Sequence, residues 1–405
     1  MGFARAGFVV EGICPSRHPL ANTSVVGKVH AYHSLSPVRS FAEAIASAKP
    51  DLVVPSDDLA ARHLHHLHQR ERKRGEAGAQ TCELIERSLG ASESFGVVYA
   101  RAEFMRLAHD EGVLAPETEV VADVNQLRRW IVKTGLPIVL KANGTSGGDG
   151  VRIVHALDDA EKAFRSLQAP PLLVRAAKRA ILDQDKTLVW PSLVRHRSTV
   201  NAQAFVAGRE TTSTVACWNG SVLAALHFEV LQKKHDAGPA TVMRLIEDED
   251  MSTAVVRMTR RLMLSGIHGF DFMRDTENGR AHLIEINPRA TQVGHLTLGA
   301  GRDLPAALYA AVTGETVRPA PKVTEKEIIA LFPQEWMRDP QSAFLSSGHH
   351  DVPWEEPGLI RACVRHGKAS WAFSPKKSTS TSRLPIHRCT ADASGLPGLS
   401  AEKTE

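Results

Sequence analysis

Asp271, Glu285 and Asn287, followed by Arg289, are the residues whose types and spacing carry the clearest chemistry in this chain. They lie on two short apolar runs, Gly269-Phe270-Asp271-Phe272-Met273 and His282-Leu283-Ile284-Glu285-Ile286-Asn287, with the hairpin signal Asn278-Gly279 between them. On a strand, Glu285 and Asn287 point to one face and can share a ligand. Carboxylate and amide oxygens suit Mg²⁺, which takes one or two protein carboxylates together with phosphate oxygens. Arg289 then sets a cation beside that metal. Taken alone, the segment also reads as an ordinary hairpin with polar residues facing solvent. Register is an internal test, because Asp271 joins the set only if it lies opposite Glu285. An odd-length connection such as 276–280 allows this, whereas a two-residue Asn278-Gly279 turn pairs Asp271 with Ile286 and turns it away. The longer, bulged connection is expected.

A second group handles anions. The run 136–142 reads as a buried strand carrying one lysine, and a buried Lys141 requires an anionic partner. Gly144, Thr145, Ser146, Gly147, Gly148, Asp149 and Gly150 follow, ahead of the strand 151–154. Such a loop can turn its N–H groups onto phosphate oxygens, although by itself it reads first as a plain flexible hairpin. Its spacing is neither that of a P-loop nor that of a dinucleotide-binding turn. Further on, Gln203, Phe205 and Val206, then Glu210 after a turn, form a strand-turn-strand piece that could hold an adenine edge and ribose hydroxyls.

These pieces need elements to position them. Residues 1–90 alternate between strand and helix: a buried strand at 7–13, a helix at 41–48, a second strand at 51–55, and a helix from Leu59 capped by Ser56-Asp57-Asp58. This describes a small parallel α/β domain lacking its first strand, and a chain shortened at its start would leave a sheet edge exposed. His63, His65, His66 and His68 precede the charged run 69–74 and read as a solvated face rather than a metal site. An amphipathic helix spans 101–111. Asn219-Gly220 joins strands at 211–218 and 221–230. Pro319 and Pro321 mark a linker into a small module ending near 373, where Phe332-Pro333-Gln334-Glu335-Trp336 and Asp351-Val352-Pro353-Trp354 suggest packing or substrate shaping. The Ser/Thr/Lys-rich tail from 374 is expected to be disordered.

Composition excludes several classes. Hydrophobic residues make up 43% and charged residues 23%, ordinary for a globular protein. A net charge of +4, with the charges scattered, gives no reason to expect nucleic acid. No run reaches the roughly 18 apolar residues of a membrane span, and no signal-peptide core is present. The five cysteines have no regular spacing, which fits a reduced cytoplasmic setting without a zinc site or disulfide framework.

In this order and spacing, strand lysine, glycine loop, Gln203 to Glu210, Asp271 and Glu285-Ile286-Asn287-Pro288-Arg289 resemble the ATP-grasp superfamily, notably its carboxylate–amine ligase and carbamoyl-phosphate synthetase-like branch. The likeness spans about residues 92–315, and residues 1–90 look like the α/β domain that precedes it. It implies an α/β (α+β ATP-grasp) fold: an N-terminal α/β domain (1–90), an ATP-grasp domain of two lobes (91–318), a small module (319–373) and a tail (374–405). It also implies ATP and Mg²⁺ as cofactors, with Mn²⁺ as the substitute. Arg101 and Lys141 would contact phosphates, and Gly144, Thr145, Ser146, Gly147, Gly148 and Gly150 would close over them. Gln203, Phe205 and Val206 would hold adenine, and Glu210 the ribose. Asp271, Glu285 and Asn287 would be the metal ligands, and Arg289 would face an acyl phosphate. The implied reaction joins a small-molecule carboxylate to an amine, in a cytoplasmic protein whose default assembly is a homodimer. A carboxyphosphate reaction and a nucleotide-binding module without turnover are the alternatives. Residues 289–295 and Gly238-Pro239-Ala240-Thr241 would border the acceptor pocket. His268 reads as packed, and His295 is open between structural and catalytic roles.

Overall fold

The structure, a computed structural model, describes residues 1–143, 150–169, 198–235, 238–316 and 320–372; the tail from 374 lies outside the described residues. Its first layer contains α1 (Gly2–Ala6), β1 (Glu11–Cys14), β2 (Lys28–Ala31), α2 (Pro37–Ala48), α3 (Asp58–Arg72) and α4 (Glu76–Leu89). β1 pairs in parallel, as the expected domain requires, but with β2 at 28–31, a strand the sequence reading missed. Phe41, Leu64, Leu67, Ile85, Leu89 and Phe95 form the core of this layer. α3 begins where the sequence places it, because the Asp57 carboxylate accepts from the Ala60 N–H at 2.8 Å.

Three expectations for this layer are corrected. The first strand is shorter, since Gly7 ends α1 in a left-handed conformation (φ 113°), Val9 is 93% exposed, and pairing starts at Glu11. The run 51–55 is not a strand. The Val53 N–H donates to the Ser88 hydroxyl at 3.0 Å, which removes the donor that a ladder needs there, and the Pro55 carbonyl accepts from the Ala290 N–H at 2.9 Å. His63, His65 and His68 are buried rather than solvated, and the helix continues to Arg72. His65 stacks on Phe95 with 3.9 Å between ring centroids, while His68 Nε2 lies 2.7 Å from Glu86. Burial lowers the His65 pKa to about 3, so its ring is neutral and packs as an aromatic.

The second layer follows α5 (Arg101–Asp110) and comprises β3 (Thr118–Val121), α6 (Val124–Thr134), β4 (Ile138–Ala142), β5 (Val151–Val154), α7 (Leu157–Gln168) and β6 (Val200–Ala204). The strands lie in the order β3-β6-β4-β5, all antiparallel. Alternation divides the sheet: Ile138, Leu140, Val200 and Ala202 pack with Leu127, Trp130 and Phe164. Lys141, Asn201 and Gln203 are therefore left on the other face.

The large sheet runs β11-β10-β7-β8-β9-β12-β13, built from β7 (Gly208–Trp218), β8 (Ser221–Lys233), β9 (Ala240–Ile246), β10 (Gly266–Asp275), β11 (Ala281–Asn287), β12 (Ile328–Leu331) and β13 (His349–Asp351). Asn219 and Gly220, at φ 47° and 79°, make the expected tight turn between β7 and β8. One face packs Val215, Phe270, Phe272 and Ile286 against Phe104, Met251 and Met258. The other packs Ala216, Leu226, Phe228 and Ile267 against Leu296, Leu304 and Leu308. From Ile328 onward the chain extends this same sheet. Glu335 is fully buried, and its carboxylate accepts from the Thr241 hydroxyl at 2.7 Å, from Arg338 at 2.6 and 2.7 Å, and from the Ser342 hydroxyl. That network fastens the distinctive 332–336 stretch to β9, and it turns Thr241 away from the acceptor-pocket role expected of it.

Asp271 does lie opposite Glu285. The route differs from the one expected. The loop 276–279 has an even length, closed by the Asp275 N–H donating to the Arg280 carbonyl at 2.9 Å. The odd residue sits in the ladder instead, as a bulge at Ile284 between the Asp271–Glu285 and Phe272–Leu283 pairs.

β10 starts in tight quarters. Gly266 has φ 89°, and a Cβ there would stand 2.2 Å from the Ser88 carbonyl oxygen. Gly266→Ala is expected to cost at least about 1–3 kcal/mol in chemical denaturation. Gly279→Ala, at φ 71° in open space, should cost less; equal losses would remove the close approach as the cause.

Candidate active site

The small and large sheets meet through the polar residues that alternation leaves free of helix cover. Lys141 on β4 is only 5% exposed, and its Nζ lies 3.5 Å from the Ile284 carbonyl, at the bulge. Burial pushes its pKa down to about 8, with Arg101 adding to the fall and Glu285, Asp271 and Glu210 opposing it. Arg101 opens α5. Its Nη2 donates to Glu285 Oε1 at 2.6 Å, and its Nη1 donates to the Ala142 carbonyl at 2.9 Å and to Asn143 Oδ1 at 3.4 Å. Each cation thus reaches from the small sheet's end of the cleft to β11. Arg101 Nε is buried without a partner, a donor that a phosphate oxygen would satisfy.

Asp271 is held from both sides. The Thr212 hydroxyl donates to Oδ1 and Asn287 Nδ2 donates to Oδ2, each at 2.8 Å. Burial nevertheless raises its pKa, and the charge of Glu285 raises it further, against the pull of Thr212, Asn287 and Arg289. Two carboxylates on one face, with an amide oxygen beside them, form a hard-oxygen donor set. That set fits Mg²⁺. Arg289 completes the row, with Nη2 3.3 Å from Asn287 Oδ1 and Nε donating to Asp58 Oδ1 at 2.9 Å.

Most of the remaining expected residues have local partners of their own or lie outside the described residues. Gln203 is buried and donates through Nε2 to the Thr118 hydroxyl at 3.0 Å. Phe205 and Val206 lie in the link between β6 and β7, where the small sheet hands over to the large one. Glu210 pairs with Lys233 Nζ at 2.6 Å. Gly150 closes the base of the glycine loop, its carbonyl accepting from the Ala142 N–H at 2.9 Å. Gly144, Thr145, Ser146, Gly147 and Gly148 lie outside the described residues. His268 is packed, with Nε2 2.7 Å from the Ser265 carbonyl and a pKa lowered by burial to about 4. His295 Nε2 lies 3.0 Å from an Asp351 oxygen, a tie to β13.

Sequence reasoning missed Asn201, Asn143, Thr212, Lys233 and Asp58. Asn201 Nδ2 donates to Asn143 Oδ1 at 2.9 Å and to the Lys141 carbonyl at 3.3 Å. Its position two residues before Gln203 on one strand was the signal that could have found it. Asp58 had no such signal, because its partner is 231 residues away.

Two sheets meeting over the cluster of Lys141, Arg101, Asp271, Glu285, Asn287 and Arg289 make the fold of an ATP-grasp protein. Residues 101–304 match the family described as carbamoyl-phosphate synthase L chain, ATP binding domain, and the chain belongs to that family. It is 24% identical over 196 residues to the carbamoyl phosphate synthase large chain of Methanosphaerula palustris, covering 47% of this chain and 17% of the relative. Solved structures of similar fold include the biotin carboxylase domain of Hydrogenobacter thermophilus 2-oxoglutarate carboxylase (TM-score 0.56, 13% identity, 78% of this chain and 67% of that one). N5-carboxyaminoimidazole synthetase from Staphylococcus aureus is similar too (TM-score 0.54, 14% identity, 78% and 75%). At these identities the likeness is one of fold.

The raised Asp271 pKa has a sign that can be tested. A carboxyl that holds its proton more tightly when folded costs stability progressively as pH rises from its unfolded value through its folded one. Without metal or nucleotide, Asp271→Asn is therefore expected to melt above the unsubstituted protein at pH 8, with the gap closing toward pH 4. A gap that widens on acidification would reverse the assignment.

Proposed function

We propose that this protein is an ATP-dependent ligase that activates a substrate carboxylate as an acyl phosphate and joins it to an amine. The observation that supports this best is the convergence of Lys141, Arg101, Asp271, Glu285, Asn287 and Arg289 on one cleft between two sheets. Lys141 and Arg101 hold the phosphates of ATP, Gln203, Phe205 and Val206 take adenine, and Glu210 takes the ribose once it leaves Lys233. Asp271, Glu285 and Asn287 hold Mg²⁺, which when bound neutralises phosphate oxygens as a Lewis acid. A carboxylate oxygen attacks the γ-phosphorus, the bond to the β-phosphate oxygen breaks, and ADP leaves. An amine nitrogen then attacks the acyl carbon, phosphate departs, and the amine gives up a proton. Positioning and charge neutralisation carry such reactions, with Arg289 facing the charge that develops on the transferred group.

Bicarbonate is a candidate carboxylate, which makes the acyl phosphate a carboxyphosphate. The family match supports that version, as does the Hydrogenobacter thermophilus neighbour, whose structure contains MgADP, ADP and bicarbonate. Among the described residues no helix is long and apolar enough to cross a membrane, and we place the protein in the cytoplasm. That neighbour is a dimer, and a homodimer is the assembly we propose here; light scattering should read twice the chain mass.

The test is Mg²⁺-dependent ADP release, screened over bicarbonate, amino acids and other carboxylates, each with amines. Release is expected to require one carboxylate pool and to fall by about 10²-fold or more in Glu285→Gln. ATP binding without release on any pool would favour a nucleotide-binding module and sink the ligase reading.

A further inference from the structure

α3 carries chemistry beyond its contact with Arg289. Asp58 and Arg62 are four apart, so they stand one above the other on the same side of the helix. Asp58 holds Arg289. The Arg62 guanidinium carbon lies 5.0 Å from the centre of the Tyr99 ring, two residues before Arg101. Arg62 is half-buried, yet among the described residues it has neither a carboxylate partner nor a hydrogen bond. The Tyr99 hydroxyl is also buried without a partner. It is near enough to both Asp58 and Arg62 to feel their charges, and burial raises its pKa, so it stays a protonated donor. A guanidinium whose face rests on an aromatic ring keeps its N–H edge available for a carboxylate. Arg62, an unmatched cation, thus stands one helical turn along α3 from Asp58, the residue that holds Arg289, and the unsatisfied Tyr99 hydroxyl lies near both Asp58 and Arg62.

We propose that Arg62 and Tyr99 anchor a second carboxylate of the substrate, while its first carboxylate reacts beside Arg289. The substrate class is then a dicarboxylate or an acidic amino acid rather than a simple monocarboxylate. One turn of helix, about 5.4 Å, separates Arg62 from Asp58 along α3, so the probe is a short dicarboxylate, glutarate. The inference rests on the reading of Arg289 and the metal strand as the reacting centre.

The experiment uses the full chain with two readouts. In thermal melting without nucleotide, glutarate is expected to raise the midpoint and butyrate, with one carboxylate, is not. Arg62→Met should abolish the glutarate shift, Tyr99→Phe should reduce it, and Arg62→Lys should keep part of it. In ADP release with Mg-ATP, glutarate and ammonium, Arg62→Met should lower kcat/KM by roughly 10- to 100-fold. The loss should fall on the KM for glutarate and not on the KM for ATP. Equal shifts with butyrate and glutarate, no shift with either, or a glutarate shift surviving in Arg62→Met would each overturn the subsite. ADP release undiminished in Arg62→Met would overturn it while leaving the ligase intact. An Arg62-dependent shift with no release from any carboxylate would keep the subsite and reject the ligase. Arg62→Lys separates lost recognition from lost folding, because it retains the charge and the stem.

Discussion

Everything in the cleft depends on two cations that cross between sheets. Lys141 comes from the small sheet and Arg101 from the start of α5, and both end against β11. A buried ammonium and a part-buried guanidinium are expensive unless they are matched by negative charge. Here Glu285, Asp271 and Glu210 all favour the charged lysine, against its burial. The same carboxylates would be costly without those cations. Each half of the site therefore makes the other tolerable, and together they fix how the small sheet faces the large one.

That balance in turn depends on one extra residue. Without the bulge at Ile284, the even loop 276–279 would place Asp271 opposite Ile284, and the two carboxylates would point to opposite faces. The bulge shifts the register by one and presents the Ile284 carbonyl to Lys141. A single irregularity thus serves both the acidic set and its counter-charge, as bulges beside functional sites often do.

The order of elements around the site was legible because it rests on local signals. Alternation turns Lys141 and Gln203 away from the helix-covered face, Asn219-Gly220 makes a tight turn, and Glu285 and Asn287 share a face through simple spacing. What escaped was decided by tertiary contacts. His63, His65 and His68 looked polar, yet burial against Phe41 and Phe95 leaves them as flat packing groups. The run 51–55 looked like a strand, but the Ser88 hydroxyl from α4 takes its donor. The bulge was foreseen as a need and misplaced, because register constrains the parity of the connection without saying which residue supplies the odd one. The roles given to Glu210 and the metal ligands come from resemblance, and the geometry that supports them is their proximity to Lys141.

The first layer is coupled to the chemistry through Arg289. Its guanidinium is shared between Asp58 on α3 and Asn287 on β11, while the neighbouring Ala290 N–H is taken by Pro55. A planar guanidinium has five donors in a fixed fork, so it can serve an aspartate, an amide and a backbone carbonyl at once and still pivot little. Holding that fork from the N-terminal layer means that the cation at the end of β11 is oriented by a segment outside either sheet. A small displacement of α3 would then move Arg289 relative to Asn287 without touching any metal ligand. Asp58, Arg289 and Asn287 thereby form one mechanical unit, which gives the first layer a direct physical route to the cleft between the other two.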